Sequence, residues 1–286
     1  MRLSAERRAG TGSPPGPPVL RVVEVAQVCV HEDPDRRRVA RLREALLRDG
    51  VLRNPPVVTL LPDGRFAVLD GANRVTALQG LGIPHLVAQV VDYHSPEIIL
   101  LTWRHYVAED GPPLLRMRLS QRGDLPMEPL SSFEEAEARV GQGDGVAVVA
   151  DTDGASLLLG GDDVLARARR LSQLVTLYRD GSPIQRVDGG DVDTLRARFG
   201  PGSLVLFRPF SKEEILVIAS GGGRLPSGIT RHVIPGRALR VNTPLEWLAA
   251  PRHLAEKQVY LEEMIRQRWQ EHGVRYYAEP TFLFDE

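Results

Sequence analysis

The segment VLDGANRVTALQGLG, residues 68–82, constrains the fold most, because a strand pattern passes directly into a helix pattern. Its apolar run ends at Asp70-Gly71, and apolar residues then recur at helical spacing, which predicts a helix over 72–81. Such a turn collects free backbone N–H groups and the positive end of the helix dipole, which attract an anion. Arg74 adds a guanidinium suited to phosphate, and the Asp70 carboxylate suits Mg²⁺ held against the same phosphates. The alternative is a tight turn with a solvated Arg74, because short glycine motifs are not specific.

The residues around this segment alternate between strand and helix patterns, which predicts a mixed α/β (α+β) fold. Alternating β-branched residues predict a strand over 20–30, and Asp33-Pro34 predicts the cap and first residue of a helix. Pro62-Asp63-Gly64 predicts the turn of a hairpin. Ser95-Pro96-Glu97 predicts the start of another helix, which would carry Trp103 on an apolar face.

Composition along the chain predicts a leader and two domains. Residues 1–18 are rich in Gly, Pro and Arg and predict a disordered leader. Residues 19–110 predict a compact α/β domain, and the Gly-Pro-Pro run at 111–113 predicts a boundary. Residues 111–286 predict a second α/β domain, with heavier Gly and Pro punctuation. A ligand cleft is expected between the two domains.

Charge and cysteine content exclude several classes of function. The 36 basic and 37 acidic residues nearly cancel, so the broad positive surface of a nucleic-acid-coating protein is absent. No run of about 18 apolar residues predicts a membrane span, and the first residues lack the apolar core of a secretory signal. We therefore expect a cytoplasmic protein with no membrane partner. The single cysteine, Cys29, excludes an internal disulfide and a paired-cysteine metal or redox site.

Two long stretches resemble the ParB/sulfiredoxin superfamily. They are VCVHEDPDRRRVARLREALLRDGVLRNPPVV and VLDGANRVTALQGLGIPHLVAQVVDY, both within residues 20–110. In that superfamily a turn of G-x-x-R type between strand and helix holds nucleotide phosphates. His31-Glu32, Arg53-Asn54-Pro55 and the turn from Asp70 to Arg74 are most similar to the free-serine kinase branch. That branch converts free L-serine to O-phospho-L-serine with ATP or ADP.

The resemblance implies a role for each matching residue. Glu32 would be the general base, and Asp70 would be a second catalytic carboxylate that also holds Mg²⁺. In these kinases a matching Trp and a Thr-Arg-His triplet line the serine site between the domains, which implies Trp103 and Thr230-Arg231-His232 here. The implied nucleotide-binding residues are His31, Asn54, Gly71, Ala72, Asn73 and Arg74.

Taken without the resemblance, several of these residues have structural interpretations. Glu32 is typical of a solvated charge at a helix start, and His31 of a loop histidine with an ordinary hydrogen bond. Trp103 on an apolar helix is typical of a core residue. Asn54 is typical of a turn, and Arg231 of an exposed strand edge.

One departure from the kinase pattern leaves alternatives open. The kinase branch has two histidines inside the turn, where this chain has Ala72 and Asn73. The Ala72 N–H and the Asn73 amide remain phosphate donors, so nucleotide binding survives this change better than turnover. A second hypothesis is therefore a non-catalytic ParB-like nucleotide-binding regulator, transcriptional in type, for which nucleic acid would be a partner. A third is a kinase for another small hydroxylated amino acid. Sulfiredoxin chemistry is excluded, because it needs a cysteine in this turn. The choice between ATP and ADP, the oligomeric state and the pathway stay open.

Overall fold

The computed structural model describes residues 17–109, 115–161, 163–179 and 181–277. The predicted leader, apart from its last two residues, and the predicted boundary at 111–113 lie outside these ranges.

The first sheet has five strands in the order β1-β6-β4-β5-β2. The strands are β1 (Leu20–Glu24), β2 (Val28–Val30), β4 (Val57–Leu60), β5 (Phe66–Asp70) and β6 (His85–Val90). A short 3₁₀ turn separates β1 from β2, so the predicted strand over 20–30 is two strands. Strands β2 and β5 are parallel. Their carboxyl ends therefore lie at the same edge, where His31-Glu32 follows β2 and Gly71 follows β5.

Two helices pack beside this sheet and against each other. Helix α1 (Arg36–Asp49) ends at Gly50, which adopts a left-handed conformation with φ 66°. Helix α2 (Ala72–Gly80) agrees within one residue with the helix predicted over 72–81. The hairpin predicted around Asp63-Gly64 is also confirmed, since β4 and β5 pair antiparallel across it.

The second sheet has six strands in the order β12-β8-β13-β10-β11-β9, and all its pairs are antiparallel. Its strands are β8 (Arg104–Ala108), β9 (Met127–Leu130), β10 (Ala147–Asp151), β11 (Gly154–Leu158), β12 (Ile184–Val187) and β13 (Gly202–Phe207). The helices of this part are α3 (Leu115–Ser120), α4 (Phe133–Gly141), α5 (Val164–Arg179), α6 (Val192–Phe199) and α7 (Lys212–Ser220). Ser211 and Glu214 form a capping box at the start of α7.

Two small sheets and the last helices tie the chain ends together. Strand β7 (Ile99–Thr102) pairs with β14 (Thr230–Val233), and β3 (Val51–Leu52) pairs with β15 (Thr243–Pro244). Helices α8 (Leu245–Ala249) and α9 (Leu254–Gln270) contribute buried leucines to the core beneath the first sheet. The domain boundary near residue 110 stays a prediction. Strand β8 precedes this boundary but belongs to the second sheet. Helices α8 and α9 follow the boundary but pack beneath the first sheet.

Two sequence predictions about local structure are wrong. Ser95 and Glu97 form a turn, because Ile98 N–H donates to Ser95 O, and strands β7 and β8 follow in place of the predicted helix. Trp103 is therefore the residue between two strands. Helix α1 is capped by Asp35, whose carboxylate accepts from the backbone N–H groups of its first turn. Asp33 does not cap it, because its backbone N–H pairs with Leu225 O.

Within the described ranges, no helix combines the length and the apolar composition that a membrane crossing requires.

Candidate active site

The predicted site residues converge where β2 and β5 end and β14 begins. In open α/β sheets, ligands bind outside the carboxyl ends of the strands. A backbone bridge joins this edge to the second half of the chain, because Leu225 N–H donates to His31 O and Asp33 N–H donates to Leu225 O. The bridge brings the residues after Leu225 against Glu32.

Glu32 is partly buried and accepts three hydrogen bonds from this second segment. Its Oε1 accepts from the Thr230 backbone N–H at 2.6 Å and from the Thr230 hydroxyl at 2.5 Å. Its Oε2 accepts from Gly228 N–H at 3.0 Å. An ionised carboxylate has about four acceptor positions, so one position on Oε2 is left for a further donor.

Two histidines, His31 buried and His232 partly buried, flank Thr230 beside the end of β5. His31 Nδ1 lies 2.8 Å from Val68 O, and its Nε2 lies 3.0 Å from Thr230 Oγ1. His232 Nε2 lies 2.7 Å from the Tyr93 hydroxyl, and the two imidazole rings meet edge to face. Burial lowers the pKa of His31, against a smaller opposing effect of Glu32. Burial, followed by the charge of His31, lowers the pKa of His232 to about 3. The His232 ring is therefore neutral near pH 7.

The Gly71 turn has the geometry of an anion site. Gly71 has φ 97°, and a Cβ there would lie 2.9 Å from Pro56 Cβ, so only glycine fits. Among the described residues, no side chain caps the N-terminus of α2. The first N–H groups of this helix are thus available to an anionic ligand.

Arg74 is fixed by protein groups beside this turn. Its guanidinium donates to Asn54 O at 2.7 Å, to Pro55 O at 2.9 Å and to Asp70 Oδ2 at 2.5 Å. Arg237 donates to the same Asp70 oxygen. The two arginines therefore both bind Oδ2 of Asp70.

The two asparagines of the predicted nucleotide site also make structural contacts. Asn73 Oδ1 accepts from Asp35 N–H at 2.9 Å, which joins α2 to the start of α1. Asn54 Oδ1 accepts from Arg240 N–H at 2.8 Å. Each oxygen is used by the backbone, so each side chain offers a ligand its amide N–H groups.

The metal-ligand set at this edge is small. Within the described ranges, no group of three or more His, Cys, Asp or Glu side chains is placed to hold a metal ion. Mg²⁺ bound with a nucleotide uses one or two carboxylates together with phosphate oxygens. The single oxygen Asp70 Oδ1 fits such a nucleotide-borne ion, although the two arginines on Oδ2 weaken the attraction.

Trp103 and the triplet Thr230-Arg231-His232 are brought together by the pairing of β7 with β14. Trp103 N–H donates to Ile229 O at 2.9 Å. The Arg231 guanidinium stacks over the Trp103 ring at 4.6 Å from its centroid. Asp188, an exposed residue, lies 3.6 Å from Arg231. Arg231 is thus held on an aromatic face with part of its donor fork open to solvent.

Sequence reasoning missed several residues that shape this site. Gly228, Tyr93, Arg237 and Asp188 each contact a predicted site residue. They are single polar residues or glycines in loops without a local motif, so only the long-range pairings identify them. A cavity of about 650 Å³ opens beside Asp33, between α5 and the loop 221–224. No predicted site residue lines it.

The chain is similar in sequence to curated L-serine kinases. No family model matches the chain. The ATP-dependent L-serine kinase SbnI of Staphylococcus aureus is 26% identical over 229 residues, which is 80% of this chain and 84% of that protein. The ADP-dependent L-serine kinase SerK of Thermococcus kodakarensis is 22% identical over 230 residues, which is 79% of this chain and 91% of that protein.

Solved structures show the same fold. A C-terminally truncated SbnI from Staphylococcus aureus superposes with a TM-score of 0.70 at 22% identity, covering 87% of this chain and 97% of that one. A free serine kinase in complex with AMP gives a TM-score of 0.68 at 20% identity, covering 82% and 95%. The resemblance to free-serine kinases predicted from the sequence is confirmed: the chain is similar to ATP- and ADP-dependent L-serine kinases and shares the fold of the solved free serine kinases.

Proposed function

We propose that the protein is a phosphotransferase that converts free L-serine to O-phospho-L-serine with ATP or ADP and Mg²⁺. One observation carries the proposal. Glu32, at the end of β2, is bonded to Thr230, the first residue of the triplet that matches the serine site of the kinases. The candidate base is therefore in direct contact with the candidate amino-acid site.

The nucleotide would bind at the Gly71 turn. Its phosphates would take the free N–H groups of α2, beginning at Ala72, and an amide N–H of Asn73. Arg74 and Arg237 add positive charge while they hold Asp70. Asp70 Oδ1 would bind Mg²⁺, which neutralises phosphate charge when it is present.

Free serine would bind against β14. Arg231 would hold its carboxylate with the open part of the guanidinium, while Trp103 keeps that group in place. The serine hydroxyl would approach the remaining acceptor position of Glu32 Oε2. Thr230 itself is held by Glu32 and His31, and His232 by Tyr93, so these side chains form a fixed wall for the amino acid.

The reaction would be a single in-line transfer. The serine oxygen forms a bond to the terminal phosphorus, the bond from that phosphorus to the bridging oxygen breaks, and Glu32 receives the hydroxyl proton. ATP would leave as ADP, and ADP would leave as AMP. Positioning and charge neutralisation carry most of the rate in phosphoryl transfer, so Ala72 and Asn73 are compatible with turnover.

Incubation of the purified protein with L-serine, Mg²⁺ and ATP or ADP tests the proposal. The expected result is O-phospho-L-serine together with the nucleotide product, resolved by mass spectrometry. Parallel reactions with L-threonine and L-homoserine separate a serine kinase from a kinase for another hydroxylated amino acid. If both nucleotides bind and no phosphorylated amino acid forms, the kinase proposal is wrong.

The absence of the two turn histidines favours a second candidate function, a nucleotide-binding regulator. A serine titration followed by thermal unfolding distinguishes the two, because a ligand of the native state raises Tm. The kinase predicts a higher Tm with L-serine that is lost in Arg231→Ala. A regulator without an amino-acid site predicts no response to serine.

A further inference from the structure

Gly228, which donates to Glu32, is itself held from the second sheet. His105 on β8 has its Nε2 3.0 Å from Gly228 O, and its Nδ1 lies 2.9 Å from the Tyr178 hydroxyl on α5. His105 is 2% exposed, and Tyr178 is fully buried. A continuous hydrogen-bonded chain thus runs from Tyr178 through His105 and Gly228 to Glu32 Oε2.

The direction of each hydrogen bond in this chain follows from the chemistry of its groups. Gly228 O only accepts, so His105 Nε2 carries a hydrogen. Burial lowers the pKa of His105 to about 4, so the ring is neutral and its Nδ1 is the acceptor. Burial also raises the pKa of Tyr178, so its hydroxyl keeps its proton and donates. Tyr178 therefore selects the tautomer of His105 that reaches Gly228.

Gly228 has little freedom to move away from this contact. Its φ is 83°, and a Cβ would lie 2.2 Å from Nε of Arg186 on β12. The residue is thus held at its carbonyl by His105 and at its N–H by Glu32. Among the described residues, Glu32 Oε2 accepts one hydrogen bond, from Gly228 N–H, which leaves an acceptor position on the same oxygen.

We propose that His105, oriented by Tyr178, is a positioning residue that aims the Glu32 carboxylate by fixing Gly228. The inference rests on the proposed kinase function, in which Glu32 receives the serine proton. A displacement of about 1 Å at a reacting group costs roughly 100-fold in rate, so a shift of the Gly228 loop lowers the rate of the chemical step. We expect nucleotide binding at the Gly71 turn to be unaffected, because this chain of hydrogen bonds acts on the Glu32 side of the site.

Four variants test the assignment. His105→Leu removes the N–H toward Gly228 O, and His105→Gln keeps a side-chain donor there. Tyr178→Phe removes the donor that selects the tautomer. Tyr106→Phe is the matched control, because Tyr106 is a fully buried tyrosine on the same strand as His105 and its hydroxyl donates to Gly200 O, away from Glu32.

The variants are compared by kcat, by KM for each substrate and by Tm. We expect His105→Leu to lower kcat by about 10- to 100-fold, because a displacement of the reacting group by up to about 1 Å costs rate on this order, with the nucleotide KM unchanged. His105→Gln recovers most of kcat, Tyr178→Phe lowers kcat, and Tyr106→Phe leaves kcat unchanged. A wild-type kcat in folded Tyr178→Phe would overturn the proposal, as would equal losses of kcat in Tyr178→Phe and Tyr106→Phe. These outcomes decide the question even if His105→Leu does not fold.

A second readout does not depend on catalysis. The amide proton of Gly228, observed by NMR in glycine-labelled protein, is expected to move upfield in Tyr178→Phe and to stay in place in Tyr106→Phe, because its hydrogen bond to the carboxylate weakens. An unchanged Gly228 signal in Tyr178→Phe overturns the positioning role. Inactive wild-type protein with the expected shift overturns the kinase proposal alone.

Discussion

Arg231 is held on the Trp103 ring, 4.6 Å from its centroid, before any ligand is bound. A planar guanidinium in a fixed position presents two parallel N–H donors, which match the two oxygens of a carboxylate. Lysine keeps the charge but loses the fork and the stacking on the ring. At the residue scale, this pair determines how firmly the proposed site holds an amino acid.

We expect Arg231→Lys to raise the KM for serine by roughly 2- to 30-fold, which corresponds to the loss of a cation–π contact of about 0.5–2 kcal/mol. The KM for nucleotide stays the same, because Arg231 does not contact the Gly71 turn. Arg266→Lys, an exposed arginine on α9, is the control. Steady-state kinetics with serine as the varied substrate gives the answer, and an unchanged serine KM in Arg231→Lys contradicts the assignment.

At the element scale, the junction of β5 and α2 combines backbone shape with the proposed nucleotide site. Gly71 adopts a left-handed conformation and lies against Pro56, while Gly82 after α2 has φ 68° and no atom within 4 Å of the position of a Cβ. Both glycines are required by φ, and only Gly71 is also required by space. A comparison of Gly71 with Gly82 therefore separates the cost of the left-handed backbone from the cost of a steric clash.

We expect Gly71→Ala and Gly82→Ala each to lose about 1–2 kcal/mol of unfolding free energy from the left-handed backbone. Gly71→Ala loses a further 1–3 kcal/mol, roughly, from overpacking against Pro56. It also weakens ATP binding, while Gly82→Ala does not. Urea unfolding and calorimetric ATP titration measure these effects. Equal losses of stability in the two variants would show that the contact with Pro56 is relaxed without cost.

The junction also shows which features a sequence predicts. Helix α2 was predictable within one residue, because its strand, glycine turn and helical spacing are all local signals. The helix predicted from Ser95 to Trp103 was wrong, because Ile99–Thr102 pairs with β14, more than a hundred residues later. The prediction of Asp33 as the cap of α1 was wrong for a similar reason. The Asp33 backbone N–H donates to Leu225 O, far along the chain, and Asp35 caps the helix.

The candidate site was predictable in the same uneven way. The resemblance to kinase motifs predicts His31, Glu32, Asp70 and the triplet 230–232 as site residues, and these residues lie at one edge of the first sheet. Arg237, Gly228 and Tyr93 carry no motif and are identified only by contacts across the fold. Their roles depend on pairings that no short window of sequence contains.

At the scale of the whole molecule, two neutral histidines, one buried and one partly buried, lie near the site. His105 belongs to the second sheet, and His232 lies on β14 beside the end of β5. Burial lowers the pKa of His105 to about 4 and that of His232 to about 3, against about 6.5 in an unfolded chain. The unfolded state therefore binds more protons than the native state between these values.

Stability should consequently fall as the pH falls below about 6.5. Each of these two histidines contributes up to about 1.4 kcal/mol of unfolding free energy per pH unit. The contribution of His105 is lost down to about pH 4 and that of His232 down to about pH 3. Urea unfolding at a series of pH values measures the slope. In His105→Gln, the slope of the unfolding free energy against pH between pH 6 and 4 should be smaller by the contribution of one histidine. An unchanged slope would mean that His105 is not neutral in the folded protein.

The proposed transfer to serine is tested most directly by quantifying O-phospho-L-serine formed by the wild-type protein and by Glu32→Gln, with Asp33→Asn as the control for a neighbouring carboxylate. Wild type and Asp33→Asn are expected to form the product at equal rates. Glu32→Gln is expected to lose about 10²- to 10⁴-fold in rate, as is typical for removal of a general base, with nucleotide binding intact. Absence of O-phospho-L-serine from wild-type reactions with either ATP or ADP, in protein that binds the nucleotide, would contradict the account.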